Sequence, residues 1–147
     1  MKKILVAVDR SAVSLRAVDL AMDLASKYHA DLVLLTVVQV VSALDPVLEQ
    51  YARSEHVSGP PTTVVIEAAR QSLSDICNRA HEKGAHTARA EVVVGEPADE
   101  ILAFARATQP DLIVMGSRGH GRLAGLLLGS VAEKVAGLAT CPVLVVH

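Results

Sequence analysis

The sequence predicts an α/β fold: an open five-stranded parallel sheet in the order 3-2-1-4-5, with helices on both faces. Three observations lead there. Strand-length apolar runs alternate with helix-length amphipathic segments along the whole chain. Most of those runs are apolar at every position, as strands buried on both faces of a parallel sheet must be. Hydrophobic residues make up 51% of the chain and aromatics only 2%, so Val, Leu, Ile and Ala must fill the core. At 147 residues the chain fits one domain spanning positions 1–147, long enough to bury about 68–70% of its unfolded surface.

The first strand is Lys3–Val8, a run of Ile, Leu, Val and Ala closed by Asp9. Ser11 or Ser14 then caps a helix to about Tyr28, with Leu15, Val18, Met22 and Ala25 as its apolar stripe. Asp31–Val38 is the second strand. From Gln39 to Thr63 the pattern is irregular, with Pro46, Gly59, Pro60 and Pro61 and one short helix near Pro46–Arg53; insertions of this length are commonly functional. Val64–Lys83 reads as a helix with Ile66, Ala69, Leu73, Ile76, Cys77 and Ala80 on one face, and Gly84 stands at its C′ position. Thr87–Val94 alternates, with Ala88, Ala90, Val92 and Val94 opposite Arg89 and Glu91, which suits a half-buried edge strand. Pro97 opens the next helix, with Glu96, Asp99 and Glu100 at its positive end, and that helix closes near Thr108. Asp111–Met115 is the fourth strand, Gly129–Leu138 a helix with Val131, Val135 and Leu138 inward, and Val143–Val146 the fifth strand.

Right-handed crossovers restrict how these units connect. The first and fourth strands are the most uniformly apolar and belong at the centre; the third belongs at an edge. The result is the doubly wound order of Rossmann-like and flavodoxin-like sheets. The last strand opens on Pro142, tolerated at a strand's first residue, yet Val143, Leu144, Val145 and Val146 are apolar on both faces. An uncovered apolar edge invites aggregation. The expectation is a homodimer joined through these four residues; the alternative is a monomer whose edge is covered by a helix or by the His147 end.

In such sheets ligands sit beyond the carboxyl ends of the strands, where the strand order reverses. That brings Asp9 beside the segment Gly116–Ser130. Five glycines interrupt this segment, at 116, 119, 121, 125 and 129, and it runs into a helix at Gly129-Ser130. Glycine lets backbone approach a ligand, and helix N-termini offer free N–H groups to anions. A phosphate site follows, against the alternative of a flexible loop before an ordinary helix. A Walker A loop has the spacing Gly116 to Gly121 but lacks Lys and Ser/Thr at 122 and 123. A dinucleotide fingerprint over Gly119, Gly121 and Ala124 follows the wrong strand and lacks a later acidic residue. A nucleophile elbow at Ser117 fails because Met115 stands where glycine is required.

Charge and composition exclude other classes. Net charge is −2 with no basic stripe for nucleic acid. No apolar run reaches the roughly 18 residues of a membrane span, and the run after Lys2-Lys3 is too short for a signal peptide, so a cytoplasmic location is expected. Cys77 and Cys141 fit no metal spacing and read as reduced, semi-buried thiols. The six histidines form no ligand pattern, so no protein His/Cys metal site is expected.

The pattern that remains is G-x2-G-x9-G-[ST], through Gly116, Gly119, Gly129 and Ser130. With the opening Lys3–Asp9, Gly95-x-Pro97, Asp111–Ser117, Leu128–Val131 and the closing Cys141–Val146, it resembles the ATP-binding branch of the universal stress protein family over nearly the whole chain. The resemblance implies an ATP site in which Asp9 holds ribose, Ala7 and the backbone at Val37 frame adenine, and Met115 also lines the nucleotide. Gly116 and Gly119 let the loop wrap the phosphates, and Gly129, Ser130 and Val131 donate hydrogen bonds to them. It also implies dimerisation through the last strand, Mg²⁺ with the ATP, a regulatory protein partner, and slow hydrolysis or none. The family usually has glycine after the strand-one aspartate; Arg10 stands there, either as a clamp on phosphate, as a group that crowds the site, or as a solvated surface arginine. Arg118, His120 and Arg122 are further loop groups that either meet phosphate or stand solvated at the surface. Two rivals remain: a slow ATPase, and a nucleotide-free dimeric interaction module.

Overall fold

The computed structural model describes residues 1–39, 61–119 and 128–147. In chain order the elements are β1 (Lys3–Ala7), α1 (Ala12–Tyr28), β2 (Asp31–Val38), α2 (Pro61–Glu82), β3 (Arg89–Val94), α3 (Pro97–Thr108), β4 (Leu112–Gly116), α4 (Ser130–Leu138) and β5 (Val143–Val146). The sheet is parallel, in the order β3-β2-β1-β4-β5. The expected short helix at Pro46–Arg53 lies outside the described residues, as do His120 and Arg122.

Side-chain alternation explains why the strands had to be apolar throughout. Ile4, Val6, Leu32, Leu34 and Val114 face a core shared with α1 and α2. Their neighbours Leu5, Val33, Leu35, Ile113 and Met115 face a second core shared with α3 and α4. Successive residues point to opposite faces, so each central strand supplies two cores at once. β1, at the centre, buries Ile4, Leu5 and Val6 almost completely.

α1 begins at Ser11, whose hydroxyl accepts from the Ser14 amide at 3.1 Å. The helix ends with His29 in the left-handed region (φ 53°) and the bonds Ala30 N–H to Ala25 O and His29 N–H to Ser26 O. α2 ends the same way, with Gly84 (φ 92°) and the bonds Ala85 N–H to Ala80 O and Gly84 N–H to His81 O. Both closures satisfy carbonyls that a helix end leaves open.

Several faces differ from the sequence expectation. α1 buries Ser14, Ala17, Val18, Ala21, Met22 and Ala25, while Leu15 is exposed, because small residues let the helix lie close to the sheet. α2 starts at Pro61, earlier than expected, since proline fits a helix's first turn. Only its second half is deeply buried, through Leu73, Ile76, Cys77 and Ala80; Ile66 and Ala69 are half-buried. β3 is an edge, bonded to β2 alone, but Ala90 and Val94 are exposed rather than packed. In α4, Ala132 and Val135 are buried and Leu138 is exposed. β5 forms the other edge, and all four of its residues are half-exposed. Arg16 Nε donates to the His147 carbonyl at 3.2 Å, fastening the chain end to α1. Both cysteines are free, Cys77 buried and Cys141 half-buried. Burial pushes both thiols above their ordinary value, and at Cys141 the Asp111 charge adds to it.

Candidate functional site

β1 and β4 are adjacent, paired from Ile4↔Leu112 to Val6↔Val114, yet their chain continuations leave to opposite faces. Beyond their carboxyl ends lies a cavity of about 1010 Å³. All nine residues singled out from the sequence line it. Ala7 and Asp9 come from the end of β1, Val37 from β2, and Met115 and Gly116 from β4. Gly119 comes from the loop, and Gly129, Ser130 and Val131 from the entry to α4.

The turn after β1 is tightly determined. Asp9 Oδ1 accepts from the Ser11 amide at 2.9 Å, and Ser11 in turn caps α1. Asp9 is not itself the helix cap: its carboxylate shapes the turn one step earlier. Between them Arg10 is held at φ 65°.

The glycines have different reasons to be glycine. A Cβ on Gly116 would stand 3.0 Å from Val13 Cγ1, 3.1 Å from the Ser14 nitrogen and 3.2 Å from the Val13 carbonyl carbon. Most of those atoms are backbone, so this position is dictated by contact between β4 and the first turn of α1. A Cβ on Gly119 would lie 2.6 Å from Asp9 Oδ2; the absent side chain lets the loop meet the aspartate. Gly129 N–H donates to the Ser117 carbonyl at 2.7 Å, and Ser117 N–H donates to Val146 O at 2.6 Å. Ser117 is buried, so the two ends of the glycine-rich segment are pinned together against β5.

α4 leaves its N-terminus open. Gly129 occupies the cap position and offers no side-chain bond. The first intrahelical bond is Glu133 N–H to Gly129 O at 2.9 Å, so the N–H groups of Ser130, Val131 and Ala132 have no acceptor within the helix. Three donors without an acceptor inside the helix and the positive end of a helix dipole, with the Ser130 hydroxyl, suit a phosphate. The lining also includes Ala7, Leu35, Val37, Ile101 and Met115, an apolar set that suits an uncharged planar ring. Lys134 is held by Asp99 at 2.7 Å on the rim. Among the described residues no group of three His, Cys, Asp or Glu is arranged to hold a metal ion, and no helix is long and apolar enough to cross a membrane.

Sequence reasoning missed three contributors. Ser117 acts through its backbone, which residue type does not reveal. Thr36 donates from Oγ1 to Val8 O at 2.8 Å; the signal was a lone hydroxyl inside the apolar run of β2. The first half of α2 also borders the cavity, through Val64, Ala69 and Ser72; its small, half-buried face carried no distinguishing pattern.

The universal stress protein family model matches residues 1–147. The chain is 39% identical to the universal stress protein YxiE of Bacillus subtilis, over 99% of this chain and 98% of that one. The fold is similar to the universal stress protein UspA of Lactobacillus plantarum, with a TM-score of 0.82 at 24% identity over 99% and 97% of the two chains. It is also similar to a universal stress protein solved in complex with cAMP, with a TM-score of 0.68 at 30% identity over 99% and 97%. The whole-chain match, the sheet order and the glycine-lined cavity at the strand reversal agree: this chain belongs to the universal stress protein family.

Proposed function

We propose that the protein is a cytoplasmic ATP-binding regulator that acts as a homodimer and releases or engages a protein partner according to its nucleotide state. The observation that carries the nucleotide reading is the open N-terminus of α4. Ser130, Val131 and Ala132, whose N–H groups have no acceptor within the helix, line the same cavity as the apolar side chains of Ala7, Val37 and Met115. An adenine ring fits between Ala7, Val37 and Met115. Asp9 lies within the cavity to take ribose hydroxyls, and Gly116 and Gly119 keep the approach to the phosphates clear of side chains. Gly129, Ser130 and Val131 meet the phosphates themselves. The cAMP held by a structural relative supports the adenine-nucleotide class. Mg²⁺ would accompany the ATP through its phosphate oxygens. The dimer reading rests on β5, whose four apolar residues are half-exposed at an edge paired only with β4.

One sample tests both halves. Light scattering on the purified protein is expected to give twice the chain mass, and denaturation to release close to one ATP per chain. Fresh ATP that is recovered mainly as ADP supports the slow ATPase instead. An empty trace with no heat on adding Mg-ATP sinks the nucleotide reading and leaves a dimeric interaction module.

A further inference from the structure

Among the described residues, three non-glycine positions have positive φ: Arg10, His29 and Gln109. His29 and Gln109 close helices α1 and α3, where a left-handed residue is ordinary. Arg10 closes nothing. It sits directly after β1, in a conformation that L residues rarely adopt and that glycine adopts freely. The turn itself needs no side chain at this position, since Asp9 Oδ1 and the Ser11 amide fix it.

Packing does not explain the arginine either. Arg10 is exposed and makes no ion pair among the described residues. The other cations lining the cavity are occupied: Lys134 is bonded to Asp99, and Arg118 has a partner as well. What Arg10 does share is the cavity, with Asp9, Gly119 and Ser130. Strain retained without a packing reason marks a functional position.

From this we infer that Arg10 is a specificity-determining residue, whose guanidinium takes the outer phosphates of a nucleoside triphosphate and sets ATP above AMP. The inference rests on the nucleotide reading of the cavity. The main-chain donors at α4 serve any phosphate; an arginine fork adds charge-assisted bonds only where further phosphate oxygens exist to accept them. A nucleoside monophosphate leaves it in water.

Arg10→Gly tests this, because it removes the side chain and the strain together. Calorimetric titration of the whole protein and the variant with Mg-ATP and with AMP is read beside the melting temperature without ligand. Expected are ATP binding weakened about tenfold, AMP binding changed less than about twofold, and a melting temperature raised by roughly 2 °C. Arg10→Lys is expected to recover part of the ATP affinity but not all of it, since lysine keeps the charge and loses the fork. Equal weakening of ATP and AMP, or unchanged or tighter ATP binding by Arg10→Gly, overturns the assignment while leaving the nucleotide site standing. No binding of either nucleotide by the unaltered protein overturns the nucleotide reading, and this inference with it.

Discussion

At the amino ends of β1 and β4 the sheet is laced together; at their carboxyl ends it stands open. The Asp111 carboxylate accepts from the backbone amides of both Lys2 and Lys3. Lys3 Nζ donates to the Thr108 carbonyl at 2.7 Å, Asp31 N–H to Lys2 O at 2.8 Å and Asp111 N–H to Lys3 O at 2.9 Å. Five hydrogen bonds thus join the start of β1 to the segments entering β2 and β4. At the other end the same two strands diverge around a cavity, and α4 begins without a side-chain cap. Donors are consumed below, while above the first three N–H groups of α4 have no acceptor within the helix. The difference teaches that stability and ligand binding occupy opposite ends of one sheet, so substitutions should separate them.

Gly116 is where that separation should fail most severely, because it belongs to both. A valine there would drive Cβ into the backbone of Val13 and Ser14, and overpacking of this kind costs about 1–3 kcal/mol. The displaced β4 end also carries Met115 into the cavity wall. Gly116→Val is expected to lower the melting temperature by several degrees, roughly 2–4 °C for each kcal/mol, and to abolish measurable nucleotide binding. A well-folded variant that still binds ATP would mean that the β4–α1 contact does not shape the site.

Ser130 should separate the two properties cleanly. It is the first residue of α4, its amide has no intrahelical acceptor, and Gly129 before it is extended (φ −74°, ψ 160°), as the residue before a proline must be. Ser130→Pro therefore removes one cavity-facing donor and the hydroxyl without breaking a helix bond. About tenfold weaker ATP binding, near 1.4 kcal/mol, is expected with a melting temperature within about 2 °C of the parent. Titration calorimetry and thermal unfolding on one preparation decide it; a large stability loss with unchanged affinity would place the phosphate elsewhere.

The two ends also differ in how legible they were in the sequence. Short, local signals carried far: the unbroken apolar runs of β1 and β4 placed them centrally, Pro97 and Gly84 marked helix ends, and the glycine spacing led to the cavity. What the sequence hid was contact between distant segments. Asp111 read only as the start of a strand, and its partners Lys2 and Lys3 are more than a hundred residues away. Gly116 was expected to make room for phosphate, yet its Cα faces α1, a reason visible only once β4 and α1 are side by side. The left-handed backbone of Arg10 was hidden because arginine is a poor signal for positive φ, although the family habit of glycine at that position was a hint.

The smallest effect expected is at the laced end, and it carries a pH signature. Hydrogen bonds from the Lys2 and Lys3 amides hold the Asp111 carboxyl below its ordinary value of 3.8. A carboxyl whose folded value is lowered contributes stability above its unfolded value and loses that contribution as pH falls through the folded one. Asp111→Asn removes the charge at every pH. It should lower the melting temperature slightly at neutral pH, leave ATP affinity unchanged, and cost progressively less as pH falls below the ordinary carboxyl value and through the lowered folded one. Melting curves of parent and variant should therefore converge as pH falls. Curves that stay parallel down to acid pH would show that the geometry of the amide contacts, and not the carboxylate charge, closes that end of the sheet.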